Sequence, residues 1–416
     1  MQIIPNIREN DNNFRKTAIS MALLVKWIIL GLIIGVIVGL VGTLFSYMLT
    51  FANSFRKENS YIMLLLPVAG VIIVYLYHSF KDYHDTGTNL IIKAITENES
   101  IPLYKAPLII ISTFLTHLCG GSVGREGAAL QFGGSLGYNI GKLIRLDEDD
   151  RKIMTMSGMA AAFSALFGTP ITAAFFSIEL SSVGAMHYAA LVPGVTASLI
   201  AVHIARYFGV EGDVFVVKIV PEMTSGLVLK SGSIAIIGAF IGIIFCLSIR
   251  YARQIQDKMF KNPYFKVVAG GIIIVLLSYI FRSGDYNGAG IEMIDKAFNG
   301  LSPYEAFIIK LIFTSITLGA GYKGGEIVPA LYIGATFGRL FAYCSGFPNQ
   351  MAVALGMIAV FCSITNCPVA SLLIAFEMFG YEGALYYIIV VALSYTISGH
   401  ISLYKSQKIK YSKFTY

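Results

Sequence analysis

Residues 120–137 read GGSVGREGAALQFGGSLG, in the middle of the first hydrophobic half of the chain. Seven glycines stand beside an Arg125-Glu126 pair, with apolar sequence long enough to lie in a bilayer on both sides. A charge at that depth is costly, so an ionisable residue there marks a functional site. Glycine lets backbone approach a ligand closely, and a helix that starts inside a membrane leaves its first N–H groups unpaired. Such amides, at the positive end of a helix, attract an anion. Glu126 can hold that place when ionised and leave it when protonated. Anion and proton then compete for one position.

The rest of the chain supports a membrane setting. Its 416 residues are 56% hydrophobic and 13% charged, with a mean hydropathy of +0.70, beyond the range of a soluble domain. The apolar runs are continuous and longer than a barrel strand needs, so the expected fold is an all-α polytopic membrane protein embedded in the lipid bilayer. The net charge of +7 reflects basic loops and not a clustered nucleic-acid surface, so no nucleic-acid partner is expected. Six scattered histidines lack ligand spacing, so neither a metal nor a cofactor is expected. Cys119, Cys246, Cys344, Cys362 and Cys367 lie in apolar segments without pairing and read as small buried thiols.

Residues 1–18 are polar, and the run from Met21 to Phe51 is too long for a signal peptide, which makes it a first span. Arg8, Arg15 and Lys16 precede it, while Lys405, Lys408, Lys410 and Lys413 follow the last span. The positive-inside rule puts both termini in the cytoplasm. Several apolar pieces, such as the one ending near Ile95 and Pro170–Leu180, are too short to cross. Short, broken helices suit backbone that lines a cavity. The expected organisation is a cytoplasmic segment (1–20), a first membrane repeat (21–209), a polar connection (210–230), a second repeat (231–401) and a cytoplasmic C-terminal helix (402–416). No regulatory domain is expected before Met21 or after Tyr416.

The repeat is visible in the letters. GMAAAFSALFGTPITAAFFSIE (158–179) and GMIAVFCSITNCPVASLLIAFE (356–377) share Gly158/Gly356, Pro170/Pro368 and Glu179/Glu377, each 198 positions apart. Residues 121–134 match 321–334 at 200 positions, through Gly121/Gly321, Gly124/Gly324, Glu126/Glu326 and Gly134/Gly334. The basic loop after Ile249 implies that the second half enters from the other side. Inverted-topology repeats place the substrate at their interface, on half-helix ends near the midplane.

These residues resemble the CLC family of chloride channels and proton-coupled anion antiporters over essentially the whole chain. Gly124-Arg125-Glu126-Gly127 resembles the family's GREGP motif, and Gly325-Glu326-Ile327-Val328-Pro329 its GxFxP motif. Gly87-Thr88-Asn89-Leu90-Ile91 stands in the place of GSGIP, and Ser402-Leu403-Tyr404 near the place of the anion-coordinating tyrosine. The resemblance implies the CLC-type fold of broken and half-spanning helices, and a homodimer with one pathway per subunit. It makes Glu126 the external gate and proton carrier, and Thr88 the central selectivity residue. Gly87, Asn89, Gly124, Arg125, Gly127, Ile327, Val328 and Tyr404 then surround the anion, and Glu326 is a possible second acid. Asn89-Leu90-Ile91 and Gly325-Glu326-Ile327 depart from the chloride motifs toward the fluoride-exporting branch, although Thr88 stands where that branch has Met or Asn. Leu180 replaces the usual internal proton-transfer glutamate.

The expected function is transport of a small halide coupled to protons, with fluoride export by fluoride/proton antiport preferred to chloride/proton antiport or passive chloride flow. A cell membrane, specifically a bacterial inner membrane, is the expected location. Bland readings stand beside these: Glu326 capping its own half-helix, Glu179 and Glu377 accepting bonds from loop amides, Arg125 as a structural cation, and Tyr404 as an interfacial anchor. An Arg125–Glu126 pair is not expected, since neighbours on a helix do not face each other. Gly120-Gly121-Ser122-Val123-Gly124 also spells a hydrolase nucleophile motif, but without the strand–turn–helix setting that motif needs. An enzyme is not expected, and a sodium-coupled carrier is the remaining rival.

Overall fold

The computed structural model describes residues 13–83, 85–215, 217–281 and 284–414. Arg8 and the rest of residues 1–12 lie outside the described residues. Helix α1 (Asn13–Glu58) is followed by α2 (Leu66–Ser79), α3 (Thr88–Glu97), α4 (Lys105–Leu118), α5 (Glu126–Leu143), α6 (Glu148–Phe167), α7 (Pro170–Glu179) and α8 (Leu191–Tyr207). The second half repeats this order as α9 (Ser225–Met259), α10 (Pro263–Ile280), α11 (Ile291–Phe298), α12 (Ala306–Ala320), α13 (Ile327–Ser345), α14 (Asn349–Thr365), α15 (Pro368–Phe379) and α16 (Ala384–Ile397). Among the described residues six helical segments are long and apolar enough to cross a membrane, α1 and α9 the longest of them. Leu44, Phe51 and Leu229 on these two helices are more than half exposed. Apolar surface on that scale is stable only against lipid or a partner.

Local chemistry explains where the helices break. Asp147 caps α6 by accepting the Asp150 N–H at 2.8 Å, with Glu148, Asp149 and Asp150 in the first turn favouring the positive end. Helix α6 ends on Gly168 and α14 on Asn366, both left-handed, and Pro170 and Pro368 then open the next short helices. Glycines bring α5 against α6 and α13 against α14. A Cβ on Gly133 would lie 2.3 Å from the Gly158 carbonyl oxygen, and one on Gly334 2.5 Å from that of Gly356.

Four expectations need correction. Helix α1 already begins at Asn13, inside the segment 1–20, and α9 opens at Ser225, inside the connection 210–230. The described residues after Ile397 form no C-terminal helix: Lys408–Ile409 pairs as a parallel strand, β2, with Ser182–Val183, β1. The alternation Lys408-Ile409-Lys410-Tyr411 suits a strand, and helix periodicity is lacking. Cys344 is exposed, and the other four cysteines are buried.

Glu179 and Glu377 do accept amides, but at helix starts of the opposite repeat and not in loops. Glu179 takes the Val369 and Ala370 N–H groups of α15 at 3.1 and 2.8 Å. Glu377 takes the Ile171 and Thr172 N–H groups of α7 at 3.0 and 2.7 Å, with the Thr172 hydroxyl at 2.6 Å. Each half thus closes a helix of the other.

Candidate functional site

Three short loops deliver three helix starts to the middle of the bundle. The loops before α5 and α13 cross as a two-residue antiparallel bridge, with Gly124 N–H donating to Gly325 O at 2.6 Å and Gly325 N–H to Gly124 O at 2.7 Å. Only glycine permits this approach: a Cβ on Gly325 would lie 2.5 Å from the Gly127 nitrogen. Helix α3 starts beside them, where the Thr88 hydroxyl faces Gly127 O at 3.5 Å and receives Gln131 Nε2 at 3.4 Å. No side chain caps α3 or α13; the Asn89 and Leu90 N–H groups of α3 turn back to the Thr86 and Gly87 carbonyls at 3.3 and 3.1 Å, while the start of α13 keeps the positive end of a helix.

Glu126 is fully buried and folds back over its own helix start. Its Oε2 accepts the Arg125 N–H at 2.9 Å, and a Cβ on Gly124 would touch that same oxygen at 2.7 Å and Pro329 Cδ of the second repeat at 2.9 Å. The carboxylate therefore sits at the crossing, on an amide that could otherwise hold an anion. The Arg125–Glu126 pair does form, with Nε to Oε1 at 3.3 Å, because Arg125 is the residue before the helix and escapes the helical spacing rule. The Arg125 guanidinium also holds Asp213 at 2.8 Å and the Leu166 carbonyl at 3.1 Å. Its Nε and Nη2 thus serve structural partners, as expected of a structural cation.

Other members of the anion set also have prior partners. Gly87, at φ +60° and ψ −133°, donates its N–H to Asp85 at 3.3 Å. Asn89 accepts the Ser406 N–H at 3.0 Å, so its side chain ties the C-terminal tail to α3. Ile327 and Val328 are buried in the first turn of α13 and bring only backbone. Tyr404 is 3% exposed, and its buried hydroxyl has no partner. A buried donor without an acceptor is costly, and a transported anion is a fitting acceptor. Glu326 precedes α13 without capping it; its Oε2 lies 3.0 Å from where a Gly127 Cβ would stand.

Comparison with known proteins rests on the same helices. The profile of the voltage-gated chloride channel family matches residues 6–104 and 69–399. The chain belongs to this family, the CLC proteins. It is 33% identical over 398 residues to a chloride/fluoride channel protein of Pseudomonas syringae pv. tomato, covering 94% of this chain and 88% of the relative. It is 29% identical over 281 residues to the H(+)/Cl(−) exchange transporter ClcA of Vibrio cholerae, covering 62% of this chain and 58% of that one. A crystal structure of a CLC-type fluoride/proton antiporter superposes with a TM-score of 0.89 at 32% identity, over 96% of this chain and 100% of that one. A slow cyanobacterial Cl−/H+ antiporter, at 19% identity and a TM-score of 0.79 over 89% and 94%, shares the CLC fold.

Residues outside the family motifs also meet at the site. Asp213, Asp85, Lys105, Lys323 and Gln131 all touch the site loops or their partners. Acids at 82 and 85 in an apolar chain were the available signal; for Asp213, in a polar connection, there was none. Ser122 shares its hydrogen bond with Thr314 at 3.0 Å and not with a histidine, which leaves the hydrolase motif without a base.

Proposed function

We propose that this CLC chain exports fluoride in exchange for protons through Glu126. One observation carries the reading: the buried Glu126 carboxylate occupies an amide at the crossing of two half-helices, so that an anion can enter only when the carboxylate leaves. A carboxylate leaves such a place at least cost as the neutral acid, which ties anion movement to a proton. Glu326, beside Gly127, is the second acid, and the orphan Tyr404 hydroxyl receives the anion from the cytoplasmic side. Thr88 sets selectivity between them. The likeness to the fluoride/proton antiporter structure supports fluoride over chloride.

The protein works as a homodimer with one pathway per subunit, in a bacterial inner membrane with both termini in the cytoplasm. It needs no cofactor. The test is efflux from liposomes holding the purified protein, comparing fluoride and chloride while following internal pH. Fluoride efflux far above chloride, with stoichiometric proton uptake, supports the proposal. Equal or greater chloride flux returns the chain to chloride/proton exchange, absence of proton movement makes it a channel, and sodium-dependent uptake of an organic solute would sink the halide reading.

A further inference from the structure

Two carboxylates and two ammonium groups meet at a point that the gating argument does not use. Asp85 lies in the loop between α2 and α3, its side chain 6% exposed. Its Oδ1 pairs with Lys105 Nζ at 2.6 Å and its Oδ2 with Lys323 Nζ at 2.7 Å. Lys105 also pairs with Asp82, and both ammonium groups lie over the Tyr77 ring, 5.9 and 4.2 Å from its centroid. The four charges balance.

What matters is where the partners come from. Asp85 precedes Gly87 by two residues and accepts its N–H, holding the left-handed turn from which Thr88 opens α3. Lys323 belongs to the second repeat and precedes Glu326 by three residues. Its loop is fixed on other sides by the Tyr322 hydroxyl, whose single proton is shared between the Leu66 and Val267 carbonyls at 2.9 and 3.1 Å, and by the Gly124–Gly325 bridge. The two oxygens of Asp85 therefore hold, one each, the loop that ends in Thr88 and the loop that ends in Glu326. Burial alone would push the Asp85 carboxyl up, but Lys323 and Lys105 outweigh it and hold the group well below the usual carboxylate range. Two ammonium partners thus favour the ionised form of Asp85, which suits a fixed strut and not a proton carrier.

We propose that Asp85 is a positioning residue for anion selectivity: through Lys323 it sets the spacing between the Thr88 start of α3 and the Glu326–Val328 start of α13. This rests on the halide-transport reading above. Asp85→Asn keeps a partner for the Gly87 amide and removes the tie to Lys323, but it leaves an ammonium group buried without its counter-charge and so weakens the fold. Asp85→Asn/Lys323→Met removes the tie and restores the balance with Asp82 and Lys105. Thermal stability in detergent, the fluoride-to-chloride efflux ratio and the proton-to-anion ratio would be measured on wild type and both variants. The double variant is expected to regain wild-type stability, keep its proton-to-anion ratio, and show an efflux ratio shifted about fivefold, the size of one lost hydrogen bond. A stable double variant with the wild-type efflux ratio would overturn the positioning role while leaving the transport reading intact. Absence of halide flux in the wild type would overturn both.

Discussion

The starts of α5 and α13 are the same structural place built twice, and they differ in one decisive way. Helix α5 begins at Glu126 and α13 at Ile327, 201 positions apart. The same spacing relates Gly120 to Gly321, Gly124 to Gly325, Gly133 to Gly334 and Gly137 to Gly338. Glu126 and Glu326 are thus not symmetry mates: Glu326 stands where the first repeat has Arg125, and Ile327 stands where it has Glu126. One repeat supplies a helix start with its own removable anion, and the other a helix start with bare amides. Under the proposed gating role of Glu126, that single difference gives the pathway a gate on one side and a fixed site on the other.

The largest effect should come from erasing it. Glu126→Gln cannot ionise, so proton uptake in liposomes should fall by about 100-fold or more, the lower range for removing a proton-transfer group, while anion efflux continues. Retained proton uptake would take Glu126 out of the mechanism. The packing behind the two helix starts should respond alike in both repeats. Gly133→Ala and Gly334→Ala each force a methyl group against a carbonyl and should each destabilise by about 1–3 kcal/mol, read as thermal unfolding in detergent. A marked inequality would mean that only one α5-like helix is rigidly held.

The mutual caps sharpen the comparison further. Glu377 accepts three donors and Glu179 two, so Glu377→Gln should cost about 1–2 kcal/mol and Glu179→Gln somewhat less. The reverse order would show that the described hydrogen bonds do not set the cap strength. The smallest change is expected at Tyr404→Phe. Stability should hold or rise slightly, since an unpartnered hydroxyl is lost, while apparent halide affinity drops roughly fivefold. Unchanged affinity would make Tyr404 a packing residue.

How much of this lay open in the sequence depends on what carries the signal. Continuous hydropathy and the 198-residue match around Pro170 and Pro368 were enough for an inverted-repeat bundle, and the charge of Glu126 in an apolar setting marked the crossing. The glycine register is 201 and not the 200 of the sequence match, because Gly120-Gly121, Gly133-Gly134 and Gly324-Gly325 are doublets that align equally well at either spacing. Half-helix spacing then hid the Arg125–Glu126 pair, whose first member lies outside the helix. Asp213 sits 88 positions from the guanidinium it holds, and Lys323 238 positions from Asp85. No local pattern announces ion pairs at such distances; only the folded crossing brings them together.

The exchange of caps between the halves also bears on how the chain is made. Ile171 and Glu377 are 206 residues apart. At ordinary synthesis rates the ribosome needs roughly 10–40 s to cover that interval. Throughout that time the residues of the first turn of α7 have been joined while the carboxylate that completes it has not. The nascent first half must therefore wait, incomplete, for the second.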